Sequence, residues 1–175
     1  LQNKSAETYT PAEDTFFLAE HIAKEKGESA LEIGTGSGYL AGILQQNFDF
    51  VVATDIDFGA LKGQEGKTQN KICCDSANAL GNKFDLVVCN LPYLPSEKII
   101  DKTTDGGLEG LLVPLGIIKS ASLCIKSGGK ALFLTSSLAN YQKLVEKAQS
   151  MGLSATITAK KKLFFEELII MEMRG

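Results

Sequence analysis

Short apolar runs alternate with helical segments along this chain, and that alternation limits the fold more than any other feature of the sequence. The runs are Ala30 to Ile33, Phe50 to Thr54, Lys71 to Cys74, Phe84 to Cys89 and Lys130 to Thr135. Helical patterning fills Tyr39 to Asn47, Phe58 to Gln69, Leu112 to Ile125 and Leu138 to Met151. The second of these holds three glycines, which weaken it. A strand, helix, strand repeat predicts an α/β fold with a mostly parallel sheet covered by helices on both faces. Two final apolar runs, Ser154 to Ala159 and Leu163 to Met173, have no helix between them and predict an antiparallel hairpin at one edge of a seven-stranded sheet.

A further helix is predicted ahead of the sheet, from Pro11 to Lys26, with Phe16, Phe17, Ala19, Ile22 and Ala23 as its apolar stripe. Thr10 stands at the cap and Pro11 at the first turn, with Glu13 and Asp14 where a helix dipole favours carboxylates. His21 falls at the stripe edge, and Gly27 ends the helix.

With 175 residues, no internal repeat and no linker-like stretch, residues 1–175 are expected to form a single domain able to bury a core without disulfides or metals. No stretch reaches the ~18 to 20 apolar residues of a membrane helix, and the N-terminus lacks the basic-then-apolar layout of a signal peptide. A cytoplasmic setting is expected, and a start at Leu1 rather than Met suggests a trimmed or partial N-terminus. Cys73, Cys74, Cys89 and Cys124 show no zinc-site spacing and read as buried reduced thiols, with no metal site expected. A net charge of −3 and a pI near 5.3 argue against a nucleic-acid-binding surface. The basic run Lys160-Lys161-Lys162 reads as a solvated turn between strands.

Open sheets of this kind bind ligands outside the carboxyl ends of their strands. The residues standing there are Glu32 with Gly34-Thr35-Gly36-Ser37-Gly38, then Asp55, Asp75 and Asn90. A G-x-G-x-x-G fingerprint beginning at Gly34 would need glycine at 39, where Tyr39 stands. The match is E-x-G-x-G-x-G, whose glycines let backbone approach a ligand and whose acid suits positive charge rather than pyrophosphate. Asp55, roughly twenty residues beyond Gly34, is placed to accept both ribose hydroxyls. Asp75 can accept from an adenine amino group. A cationic ligand bearing ribose and adenine is S-adenosylmethionine.

On Tyr9-Thr10-Pro11-Ala12-Glu13-Asp14-Thr15, Leu31 to Gly38, Thr54-Asp55-Ile56 and Asn90-Leu91-Pro92-Tyr93, the chain resembles the class I S-adenosylmethionine-dependent methyltransferases. It looks most like the HemK-type branch that methylates the glutamine side-chain amide of translation release factors, in its short archaeal and eukaryotic form. The resemblance implies a Rossmann-like class I methyltransferase fold over nearly the whole chain. It implies cofactor contacts at Thr15, Glu32, Gly34, Asp55 and Asp75 with its neighbour Ser76, to which the glycine-loop reading adds Gly36 and Gly38 and the adjoining motifs add Ile56 and Asn90. It also implies that the motif asparagine, here Asn90, holds the substrate amide.

An amide nitrogen is a poor nucleophile because its lone pair is delocalised. Acceptors on both of its N–H bonds favour a pyramidal nitrogen. Asn90 offers a side-chain oxygen, the Leu91 carbonyl offers a second, and Tyr93 offers a flat face against a planar amide. Pro92 biases Leu91 toward extended backbone. The family's usual residue at Leu91 is proline, so the loop is expected to lose one rigid φ.

Asn90-Leu91-Pro92-Tyr93 is also similar to the motif of ribosomal-RNA adenine dimethyltransferases. Adenine N6-methylation of RNA or DNA, lysine methylation, and a cofactor-binding subunit active only in a complex therefore remain as alternatives. Short relatives resemble that last picture, since they use a small zinc-binding partner at the sheet edge beside the third strand, here Ile72-Cys73-Cys74. In the release-factor reading, Asp105 to Gly110 and the Tyr93-Leu94-Pro95 rim shape a slot for an extended peptide.

Overall fold

In the computed structural model, which describes residues 10–64, 70–81 and 83–175, the apolar runs become strands. They are β1 (Gly27–Ile33), β2 (Phe48–Asp55), β3 (Asn70–Cys73), β4 (Phe84–Asn90), the short β5 (Leu94–Pro95) and β6 (Asp105–Gly107), then β7 (Ile125–Ser136), β8 (Ser154–Lys162) and β9 (Glu167–Arg174). The helices are α1 (Glu13–Ile22), α2 (Tyr39–Leu44), α3 (Phe58–Lys62), α4 (Leu112–Ser122) and α5 (Tyr141–Ser150). Seven strands form one sheet in the order β3-β2-β1-β4-β7-β9-β8. The pairs from β3 through to β7 are parallel, whereas β9 runs antiparallel to both β7 and β8. This is the Rossmann-like class I methyltransferase architecture, with the C-terminal hairpin at one edge.

Side-chain alternation divides the core into two layers. Leu31, Ile33, Val87, Cys89 and Phe133 face Ile117, Ile118 and Ala121 of α4 and Leu144 of α5. Ala30, Leu86, Val88, Leu132 and Leu134 face Phe17, Leu18 and Ile22 of α1 and Leu40 of α2. Even-numbered residues of β1 and β4 therefore point toward α1 and α2, which decides what Glu32 and Asn90 can meet. The chain runs outward from β1 through β2 to β3 and then returns to the other side of β1 with β4. That reversal opens a crevice beyond the ends of β1 and β4.

Local details depart from the sequence reading. Helix α1 begins at Glu13 with Ala12 at its cap and no side-chain cap bond, so Thr10 does not cap it. Its buried stripe includes Leu18. Phe16 is exposed, meeting the Tyr39 ring edge to face at 5.5 Å, and Ala23 sits exposed past the helix end. Gly27 opens β1 rather than ending α1. Of the helix predicted over Phe58 to Gln69, only Phe58–Lys62 is helical, and residues 65–69 lie outside the described residues, as does Tyr9. Lys160-Lys161-Lys162 is not a turn. These residues continue β8 opposite β9, and Lys160 and Lys161 pair with Glu167 and Glu13 at 3.0 and 2.9 Å. Cys89 and Cys124 are buried as expected, but Cys73 is exposed on the outer strand β3 and Cys74, just beyond it, is only half-buried. Among the described residues no helix is long and apolar enough to cross a membrane, and no group of His, Cys, Asp and Glu is placed to hold a metal ion.

Candidate functional site

A cleft of about 1080 Å³ lies at the carboxyl ends of the parallel strands. Its floor is the turn after β1. Gly34 and Gly36 adopt φ of 70° and 48°, and a Cβ on either would meet nothing within 4 Å. Glycine is therefore needed there for the backbone conformation, and it leaves the turn open to a ligand. The Gly34 and Thr35 amides each donate to the Thr54 carbonyl at 2.9 Å, which ties the turn to β2.

Glu32 is only 2% exposed, beneath this turn. Its Oε2 accepts from Thr35 Oγ1 at 2.7 Å and from the Ala41 amide at 2.8 Å, so the carboxyl joins the glycine turn to the start of α2. Burial pushes its pKa up to about 8, against the lowering effect of those two donors, and the nearby Asp55 charge adds to the rise. Across the window from 4.5 to about 8 the native state holds a proton that the unfolded chain has released. The stability contributed by this group is thus full below its unfolded value. It is lost at up to about 1.4 kcal/mol per pH unit as pH rises toward the folded value. In thermal melts over that range, wild type is expected to lose more stability with rising pH than Glu32→Gln, and equal slopes would remove Glu32 as the cause.

Asp55 forms the next wall. Its Oδ2 accepts from the Gly36 amide at 2.8 Å and its Oδ1 from the Asp57 amide at 2.9 Å, which holds both oxygens in place with lone pairs to spare. Ile56, 46% exposed, stands beside it on the cleft. Asp75 and Ser76 line the same wall, Ser76 at a φ of 53° and donating to Asp75 Oδ1 at 2.9 Å. Thr15 comes in from α1, buried at the cleft wall. Gly38 is the exception among the predicted contacts. It does not line the cleft, and at a φ of 76° its open side is filled by Gln64, whose Cδ would lie 2.9 Å from an added Cβ. Gln64, buried, also donates from Nε2 to the Gly36 carbonyl and so supports the turn from below.

Asn90 ends β4 on the face toward α1. Its Nδ2 donates to Asp14 Oδ2 at 3.0 Å, and since a carboxylate only accepts, this bond fixes which end of the amide faces away. The other end, Oδ1, is buried with no hydrogen-bond partner among the described residues. A buried acceptor left unpaired is costly unless a ligand supplies the donor. Leu91 points to the opposite face, 2% exposed in the core, and its amide donates to the Leu134 carbonyl at 3.0 Å. Proline could not make that bond. The rigid φ absent at this position is replaced by a buried side chain, worth about 1.5–3 kcal/mol, and by continued pairing with β7.

Pro92 is buried and Tyr93 half-buried, and both line the cleft. Segment 105–110 presses on this loop. A Cβ at Gly106 would meet the Pro92 carbonyl oxygen at 2.6 Å, and one at Gly110 would collide with that of Tyr93. Strands β5 and β6 pair here into a short two-stranded ribbon that the sequence did not predict, because Asp105-Gly106-Gly107 has no strand propensity. The cleft and support residues that carry no functional signal in the sequence reading include Asp14, Gln64 and Glu166. Asp14 was visible within Pro11 to Thr15, but only as a helix-dipole carboxylate.

The cleft suits a cationic nucleoside. Asp55, Asp57 and Asp75 line the cleft beside the open glycine turn, and their charge would repel a pyrophosphate. Comparison with known proteins agrees. The methyltransferase small domain family model matches residues 12–164. A putative protein N5-glutamine methyltransferase of Methanocaldococcus jannaschii is 30% identical, covering 94% of this chain and 90% of that one. Among solved structures, the Mtq2-Trm112 complex of E. cuniculi superposes with a TM-score of 0.81 at 24% identity, covering 96% of this chain and 98% of the matched one. The N-methyltransferase NodS of Bradyrhizobium japonicum WM9, in complex with S-adenosyl-L-homocysteine, superposes with a TM-score of 0.63 at 16% identity, covering 93% and 85%. The acidic glycine cleft and a family match over most of the chain lead to one conclusion: the chain belongs to the methyltransferase small domain family, as an S-adenosylmethionine-dependent methyltransferase.

Proposed function

We propose that this enzyme methylates the side-chain amide nitrogen of a glutamine in a translation release factor, with residues 1–175 acting as one catalytic unit in the cytoplasm. The observation that carries the reading is the buried, unpartnered Asn90 Oδ1, held in orientation by Asp14 at the inner end of the cleft. Support comes from the glutamine methyltransferase to which the chain is similar and from the Mtq2-Trm112 complex, which methylates the eRF1 translation termination factor.

Thr15, Glu32, Gly34, Gly36, Asp55, Ile56, Asp75, Ser76 and Asn90 would hold the cofactor, with Gly38 shaping the turn through Gln64. S-adenosylmethionine, when bound, supplies a methyl group made electrophilic by its sulfonium charge. Asn90 Oδ1 accepts one N–H of the substrate amide and the Leu91 carbonyl accepts the other, which draws the nitrogen lone pair out of conjugation. Tyr93 flanks the amide plane. No base is needed before attack, because the nitrogen sheds its extra proton to water afterwards.

A second chain at β3 is the finer part of the proposal. β3 is the outermost strand on its side, half-exposed along its length, and the similar solved structure is itself a two-protein complex. A small zinc-binding partner pairing at that edge would cover Cys73.

The test is methyl transfer from labelled cofactor to a recombinant release factor, with and without a candidate partner, read by mass spectrometry of the modified residue. A methylated glutamine is expected. Label on lysine, or on RNA or DNA adenine, would replace the acceptor, and cofactor binding without turnover under both conditions would remove the catalytic reading.

A further inference from the structure

The β8–β9 turn ends at the mouth of the cleft, and its chemistry is not that of an ordinary turn. The Leu163 amide closes it on the Glu166 carbonyl at 2.8 Å, leaving Phe164 and Phe165 at its corners. Corners of tight turns favour Gly, Pro, Asn, Asp and Ser. Here two phenylalanines stand 91% and 87% exposed, with ring centroids 4.6 Å apart and planes 80° from parallel. The turn is held firmly at its base. Ser136 Oγ donates to Glu166 Oε2, the Ser137 amide donates to the Glu167 carbonyl at 2.8 Å, and the Glu167 amide donates to Ser137 Oγ at 2.9 Å. Leu163 packs on the α1-side core.

This tip is continuous with the reaction site. Glu166, the next residue after Phe165, lines the main cleft. A smaller cleft of about 130 Å³ joins Leu163, Glu166 and Leu168 to Asp14 and Tyr93. Ile100, 86% exposed, also lines the main cleft, so its surroundings carry apolar groups outside the turn as well.

The geometry points to the Phe164-Phe165 tip as a docking anchor for the folded protein that carries the methyl acceptor, engaging an apolar patch beside the glutamine while that glutamine enters the cleft. The inference rests on the glutamine reading above. Rigid aromatic side chains on a fixed turn lose little entropy on binding and are the typical anchors of protein interfaces. A nucleic-acid strand stacking on the rings is disfavoured, because Lys160 and Lys161 are tied to Glu167 and Glu13 and the Glu166 carboxylate lies at the foot of the tip.

The test compares wild type with the double variant Phe164→Ser/Phe165→Ser on two acceptors: an intact recombinant release factor, and a short peptide copied from its glutamine-bearing segment. Both rings are exposed, so the variant is expected to melt as wild type does. KM for the intact factor is expected to rise about tenfold or more. Its kcat, both constants for the peptide, and cofactor affinity stay unchanged. An unchanged KM for the intact factor would overturn the docking role alone, and loss of a wild-type dimer on gel filtration together with that result would assign the tip to self-association. A parallel rise for peptide and factor would also overturn it, as a defect of the cleft itself. Absence of glutamine transfer by wild type to either acceptor, both with and without the candidate partner, would overturn the glutamine reading and the docking role together.

Discussion

Asn90→Ala is expected to lower methyl transfer by about a hundredfold to a thousandfold while cofactor affinity stays within a few-fold. The substitution removes the buried Oδ1 that would accept from the substrate amide, and it leaves Glu32, Asp55 and the glycine turn untouched. Titration of the cofactor by calorimetry and single-turnover transfer with a release factor read the two effects separately. A parallel loss of both would make Asn90 a cofactor contact first, and full activity would end the amide-clamp mechanism. Asp14→Ala supplies a graded companion. Without the carboxylate that accepts from Nδ2 at 3.0 Å, nothing enforces which end of the amide faces the substrate. The rate is expected to fall about tenfold, because a group kept in place by a neighbour still visits its productive orientation part of the time.

Gly110→Ala is expected to be the most disruptive small substitution in the loop region. Gly110 holds a φ of +67°, which costs an alanine about 1–2 kcal/mol. An added Cβ would also collide with the Tyr93 carbonyl oxygen and lie 2.8 Å from Ala139 Cβ, and relieving such overpacking costs about 1–3 kcal/mol more. Relief means moving segment 105–110 away from Pro92 and Tyr93, so transfer should fall with stability. Gly116→Ala is the matching control. It lies within α4, where an added Cβ meets nothing within 4 Å, and alanine is the better helix former. Thermal melts are expected to place Gly110→Ala well below wild type and Gly116→Ala at or above it. Equal melting temperatures would mean that the 105–110 segment is free to adjust.

The alternation of apolar runs with helical segments was enough to read the sheet, its layers and the terminal hairpin, because side-chain period is a local property that each segment carries by itself. The polar residues at the strand ends were legible for the same reason. Once a parallel sheet is accepted, Glu32, Asp55, Asp75 and Asn90 must fall at its carboxyl edge. Boundaries fared less well, as at α1, where Ala12 rather than Thr10 occupies the cap, and at Lys160-Lys161-Lys162, where pairing with β9 extends a strand through a charged run.

What only the tertiary structure decided are contacts whose partners lie far apart in the chain. Asp14 reaches Asn90 across 76 positions because α1 packs on the face to which even-numbered residues of β4 point. Gln64 fills the space that makes glycine necessary at 38, and Pro92 and Tyr93 make it necessary at 106 and 110. The turn bearing Phe164 and Phe165 reaches the cleft mouth because β9 inserts between β7 and β8. By itself the sequence determined which chemical groups would gather at the strand ends. Which of them touch, and which is left with an unpaired buried oxygen, depends on strand order and on the face each residue occupies, and local periodicity does not encode the first of these.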